Sequence, residues 1–210
     1  MSLVNLTRSF VSESIRTLLT LREVHLKSQN TEYTGMVWNI QTDTMVGTYL
    51  DFAGHIKETD DGVRADNADV AGFFRQPATL IRLAKQDREG AVCAQELRAA
   101  NGGSDRTLPF LIVNALAAGL DPHDIEGRSV YFDDSAVQWI IDSGCKVLIS
   151  DIYESQALEG VFLKLFSHGV STVCEPVNLW KLKGTPLVTV SFPMMPTSQV
   201  PVSLVAEVED

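Results

Sequence analysis

Gly47-Thr48-Tyr49-Leu50-Asp51-Phe52-Ala53-Gly54-His55 is the stretch on which the reading of this chain turns. Gly47-Thr48 has the chemistry of a turn, and Asp51 is suited to brace that turn by accepting backbone N–H bonds. His55 carries the one side chain whose ordinary pKa matches proton transfer near neutrality. Just upstream, residues 23–41 are rich in Val, Thr, Tyr and Trp with partial alternation, which predicts one or two strands. The motif is thereby placed at a strand's end.

Further out, the chain alternates between strand and helix patterns. Leu3 to Thr7 is short and apolar and suits a first strand. Ala78 to Leu83 predicts another strand, and Ala94 to Ala100 a short helix stopped by Asn101-Gly102-Gly103. Pro109 to Val113 is a continuous apolar run, as expected of a buried central strand. From Asp133 the pattern is helical, with Ala136, Val137, Ile140 and Ile141 on one face and Gly144 at the stop. A buried strand, Lys146 to Ser150, follows.

Gln156 to His168 predicts a second helix, with Leu158, Val161, Phe162 and Leu165 on one face, ended by Gly169. Ser171 to Cys174, Leu187 to Phe192 and Val200 to Val208 complete the strands. Residues 59–69 form an acidic loop whose Asp spacing does not match a calcium loop. Asp121-Pro122-His123-Asp124 reads as a turn. No repeat or linker interrupts the pattern, so the reading is a single α/β domain over residues 1–210.

Bulk composition narrows the functional classes. Seventeen Lys and Arg against 27 Asp and Glu give a formal charge of −10, which repels phosphate backbones and anionic lipid. Nucleic-acid binding and membrane association are excluded as expectations, and no apolar run reaches the roughly 18 to 20 residues of a membrane span. A cytoplasmic protein is expected. Cys93, Cys145 and Cys174 are odd in number and lie in apolar runs, so they read as small buried hydrophobes. No nucleophile elbow, dinucleotide fingerprint or His-Glu-x-x-His is present.

The quoted stretch resembles His-x-Gly-Thr-His-x-Asp-x-Pro-x-His, the signature of the putative cyclase family, which includes bacterial kynurenine formamidase and isatin hydrolase. Gly47, Thr48, Asp51 and His55 match it. Met45 and Tyr49 stand at two of the His positions, and Ala53 at the Pro. The opening Leu3-Val4-Asn5-Leu6-Thr7 resembles the family's Asp-Leu-Ser/Thr start, with Asn for Asp. Asp133 to Asp151 resembles its helix, Gly-Val-Lys and Gly-x-Asp run, and Glu175 matches a later Glu. Twelve residues before it, at the family's spacing, Leu163 stands where a His is expected.

The resemblance implies a swivelling β/β/α domain, a mixed sheet with a few packed helices, and a homo-oligomer, dimer or tetramer. It implies metal-dependent hydrolysis of a small amide, formamide or lactam-like ring, in which a divalent cation, zinc or manganese, activates a water. On that template Asp51 and Glu175 are remnants of the ligand set, His55 moves the proton, and Met45, Tyr49 and Leu163 replace three imidazoles. Thr48, Tyr153 and Glu154 are pocket candidates.

Several readings of these residues stand side by side. Asp51, Glu175 and Glu154 could converge on a hard cation such as magnesium or manganese. His55 with Asp51 or Glu175 could act as a metal-free acid/base pair, with Tyr49 donating to an oxyanion. The pocket could bind a small molecule without turnover. Each residue also has a purely structural reading: Asp51 as a turn brace, His55 as a satisfied buried histidine, Glu175 as a strand-end charge, Met45 and Tyr49 as packing. His25, His123 and His168 read as surface residues.

Overall fold

The computed structural model describes residues 1–9, 17–85, 89–124 and 128–209. Among these residues, thirteen strands and three α-helices follow in chain order. They are β1 (Ser2–Asn5), β2 (Thr17–Lys27), β3 (Glu32–Thr42), β4 (Tyr49–Asp51), β5 (Gln76–Lys85), β6 (Gly90–Val92), α1 (Ala94–Ala100), β7 (Phe110–Leu116), β8 (Val130–Phe132), α2 (Asp134–Asp142), β9 (Val147–Ser150), α3 (Val161–Ser167), β10 (Ser171–Cys174), β11 (Leu187–Ser191), β12 (Gln199–Pro201) and β13 (Ser203–Val208). The α/β architecture with a mixed sheet and few helices agrees with the sequence reading.

Nine strands form one sheet in the order β1-β13-β11-β5-β7-β9-β10-β4-β12. The strands β5, β7, β9 and β10 run parallel, and the flanking pairs are antiparallel. β12 ends the sheet on one side and β13 lies next to the other end, yet only Val202 separates them in the chain. The sheet therefore curls back on itself. At the corner, the Val202 N–H donates to the Thr48 carbonyl at 2.9 Å, continuing the β12–β4 register by one more pair. The predicted single strand over 200–208 is in fact two, because the chain turns a corner of the sheet there.

Period-two alternation sorts the side chains between two cores. Leu50, Ile112, Ile149, Val173, Val190, Val200 and Leu204 fill the concave interior. Leu111, Val113, Leu148 and Cys174 face the helices, where Phe132, Ala136, Ile140, Val161 and Leu165 cover them. Because Leu50 points inward, its neighbours Tyr49 and Asp51 must point to the helix side. That alternation is what presents the motif's polar residues outside the hydrophobic interior.

Local chemistry explains the elements and the departures from expectation. α2 starts where the Asp133 carboxylate accepts the Ala136 N–H at 2.8 Å. α1 begins at Cys93, whose N–H donates to Glu96 at 2.9 Å, so Cys93 is a partly exposed cap while Cys145 and Cys174 are buried. α3 is shorter than predicted. Leu158 (φ 58°) and Gly160 (φ 82°) are left-handed, and Leu158 is 78% exposed rather than on the buried face. A helix cannot propagate through such residues.

Candidate functional site

The site forms on the helix-facing side of β4 and its neighbours. Register places Asp51 opposite Thr172 of β10 on one side and Gln199 of β12 on the other, with Tyr49 opposite Cys174. Asp51 is 2% exposed. Its Oδ1 accepts the Gln199 amide at 2.6 Å, and its Oδ2 faces the Cys174 thiol at 3.6 Å. Thr44 donates to Gln199 Oε1 at 2.6 Å, which fixes the amide so that its NH2 end meets the carboxylate. Burial raises the Asp51 pKa, against the opposing pull of His55 and of the Gln199, Cys174 and Thr172 hydrogen bonds. The expected turn-bracing role is not what Asp51 does; its partners are side chains of neighbouring strands.

Most of the residues singled out in the sequence meet at one cavity of about 310 Å³. Met45, Tyr49, Asp51, His55, Glu154 and Leu163 all line it, with Arg128 and Phe162. His55 is exposed there and sets its ring edge-on to Phe166 at 6.3 Å, so it is not a buried histidine. Burial, reinforced by Cys174, Asp51 and Glu175, holds the Tyr49 phenol far above its ordinary pKa. It is a neutral hydrogen-bonding group at any physiological pH.

A second cavity of about 240 Å³ adjoins the first, sharing Tyr49, Arg128, Glu154 and Phe162 with it. Tyr153 contributes its ring to this wall, stacked on Phe162 at 5.1 Å between centroids. Its hydroxyl faces the carbonyls of Leu148 (2.9 Å) and Val173 (2.8 Å) within the core. Asp151 lies at the base, accepting from Ala115 N (2.8 Å), Leu116 N (3.2 Å) and Asn114 Nδ2 (2.7 Å). Burial outweighs those three donors and pushes its pKa up to about 6.

Glu175 lies apart from Asp51 in its bonding. At φ 58° the chain turns sharply after β10, and the carboxylate meets His123 Nε2 at 2.7 Å and Arg8 Nε at 3.5 Å. Arg8 also forms a forked pair with Asp121 at 2.8 and 3.0 Å. His123 is exposed, as expected of a surface residue, and its ring hydrogen-bonds the Glu175 carboxylate. Thr48, 1% exposed, is sequestered: its hydroxyl accepts Arg8 N at 2.7 Å and donates to the Glu175 carbonyl at 2.9 Å. Glu154 caps α3, accepting from Gly160 N and from Val161 N at 3.1 Å.

The chemistry of these donors does not fit a zinc or manganese ion. Asp51 is engaged at both oxygens, Glu175 is held by His123 and Arg8, Glu154 by a helix end, and Leu163 has no donor atom. Among the described residues no cluster of three or more His, Cys, Asp or Glu is placed to hold a cation. Three residues of consequence were invisible in sequence. Gln199 sits in a polar tail with no motif, Arg128 lies far from the motif, and Arg8 becomes a site neighbour only when β1 joins the sheet.

No curated protein matches the sequence. Isatin hydrolase A from Labrenzia aggregata, solved bound to benzyl benzoate, superposes with a TM-score of 0.73 at 12% identity, covering 100% of this chain and 94% of that one. Isatin hydrolase A from Ralstonia solanacearum gives a TM-score of 0.74 at 15% identity, covering 99% and 92%. A structure described as a potential metal-dependent hydrolase with cyclase activity gives 0.65 at 12%, covering 98% and 96%. At these identities the likeness is one of fold. Residues 4–156 match the family described as Putative cyclase, and with nearly three quarters of its length so matched the chain belongs to that family.

Proposed function

We propose that this protein is a cyclase-family member that binds a small molecule in the paired cavities without a catalytic zinc or manganese ion, the family's metal site having been lost. The observation that carries this reading is the engagement of both Asp51 oxygens by Gln199 and Cys174, beside a wall in which Met45 and Leu163 offer no imidazole. The apolar and aromatic lining, Tyr49, Tyr153, Phe162 and Leu163, suits a flat ring, and Arg128 and the Tyr49 hydroxyl supply hydrogen-bond donors. On this reading the chain is one swivelling-type domain, cytoplasmic and homo-oligomeric. No helix among the described residues is long and apolar enough to cross a membrane.

The test is elemental analysis of untagged protein purified without chelator, paired with a thermal-shift screen of aromatic amides, formamides and their acids. The expected result is metal at background, a melting temperature indifferent to EDTA, and a saturable rise with one ligand class. Near one zinc or manganese per chain, lost on Asp51→Ala, would overturn it.

One observation favours a second reading, a metal-free hydrolase of non-peptide C–N bonds resembling kynurenine formamidase. His55 stands at the cavity beside Asp51 and opposes the rise that burial causes in the Asp51 pKa, so the two groups are electrostatically linked. His55 would take the proton of an attacking water while the neutral Tyr49 phenol donates to the developing oxyanion. Formamide turnover that resists EDTA and disappears in both His55→Ala and Tyr49→Phe would establish it.

A further inference from the structure

Three adjacent parallel strands, β7, β9 and β10, end near one another, and residues at those ends line a third cavity of about 160 Å³. Asn114 and Ala117 lie at the end of β7, Asp151 follows β9, and Asn178 and Trp180 follow β10. The carboxyl ends of parallel strands are where α/β sheets place their ligands. Asp151 and Pro122 also line the 240 Å³ cavity, so this space adjoins the paired cavities without being part of them.

The wall offers acceptors. Asn114, 3% exposed, directs its amide nitrogen to Leu116 O at 2.9 Å and to Asp151 Oδ2 at 2.7 Å. Two acceptors on the nitrogen fix the orientation of the amide, and no donor among the described residues reaches its Oδ1. Asn178 is turned in the same sense, because its Nδ2 donates to the Asn5 carbonyl at 3.0 Å. A buried amide oxygen with no donor of its own calls for a donor in the cavity.

Charge narrows that donor. The described residues lining this cavity include no Lys, Arg or His, whereas Arg128 and His123 line the neighbouring one. Asp121 is in the wall but is matched by the forked pair with Arg8. Asp151 has no such match: its oxygens are held by the neutral donors Ala115 N, Leu116 N and Asn114 Nδ2. A buried carboxylate without a cation is incomplete in electrostatic terms. Trp180 closes the wall, and Lys181 Nζ, 5.1 Å from the centroid of its ring and outside the lining, shows that the indole face accepts a cation. At about 30 Å³ for a water-sized group, the space exceeds a bare ion and holds an ammonium with a few carbon atoms. Leu120 and Val177 give those carbons an apolar surface.

We propose that this cavity binds a primary alkylammonium group, which donates to the Asp151 carboxylate and to Asn114 Oδ1 and lays its short chain against Leu120 and Val177. The site is separate from whatever fills the paired cavities, and either reading can fail without the other.

Titration of the full chain with n-propylammonium chloride at constant ionic strength, followed by proton–nitrogen correlation NMR, tests it. The expected result is a saturable shift of the Asn114 side-chain amide and the Trp180 indole N–H, with affinity at least about tenfold weaker in Asp151→Asn. Tetramethylammonium chloride carries the charge without N–H donors, and n-propanol carries the chain without the charge; neither is expected to saturate these signals. An equal response to tetramethylammonium would overturn the site in favour of diffuse attraction to an acidic protein. No saturable response to n-propylammonium, or undiminished affinity in Asp151→Asn, would overturn it as well. Should Asp151→Asn fail to fold, Ala117→Leu at a half-buried position of the wall decides. That change fills the cavity and is expected to abolish the shifts, and retained binding overturns the proposal.

Discussion

The Gln199 amide donates to Asp51 Oδ1 across 2.6 Å, from the strand register position directly opposite it. With Thr44 behind Gln199 and Cys174 on the other oxygen, this makes a polar crossing of β12, β4 and β10 that satisfies a buried carboxylate. A carboxylate so held is a structural element of the sheet.

Replacing Gln199 by Leu should therefore destabilise the fold by about 2 kcal/mol, because it leaves Asp51 buried without its strongest donor. The double variant Asp51→Leu/Gln199→Leu should be less unstable than the sum of the single changes, since no orphaned polar group remains. Urea denaturation of the four proteins measures the coupling, and strict additivity would show that the pair does not act together.

Asp151 gives a pH signature. Its folded pKa is raised to about 6 by burial, above an unfolded value near 4, so the folded state binds more protons in that interval. Stability attributable to Asp151 is thus highest below the unfolded pKa and falls as pH rises toward 6, by up to about 3 kcal/mol. Asp151→Asn should flatten the stability profile between pH 4 and 6 relative to the wild type. Parallel profiles would mean that the carboxyl group is not so perturbed.

Thr48 bridges Arg8 N and the Glu175 carbonyl with one hydroxyl. Thr48→Val keeps the shape and removes both bonds, leaving two backbone groups short of a partner, and should cost about 2 kcal/mol. Thr48→Ser should retain most of the stability. Thermal melts of the two variants separate the hydroxyl's contribution from that of the methyl.

Tyr153 presents one hydroxyl proton to two carbonyls, those of Leu148 and Val173. Tyr153→Phe should lower stability by about 1 kcal/mol while leaving ligand affinity unchanged, because the ring and not the hydroxyl faces the cavity. A loss of ligand binding larger than tenfold would instead assign the hydroxyl to the site.

Much of the fold is legible from periodicity. The apolar run beginning at Pro109 is the buried strand β7, Asp133 caps α2 as its residue type and position require, and the parallel core follows from strands interleaved with helices. Pattern and structure part where a local periodicity meets a global constraint. Val200 to Val208 alternates like one strand, but closing the curled sheet divides it at Val202. Gln156 to Gly160 has helical spacing, yet Glu154 folds back to cap α3 only from Gly160 onward.

The sequence by itself determined the family, the α/β class and the absence of imidazoles at positions 45, 49 and 163, because residue identity and spacing are written in the chain. That Met45, Tyr49, Asp51, His55 and Leu163 share one cavity was decided only by the tertiary structure. So was the assignment of Asp51 to Gln199, 148 residues away, and of Glu175 to His123 and Arg8. The physical reason is that hydrogen bonds and ion pairs depend on distances of a few ångströms, and strand pairing between remote segments sets those distances.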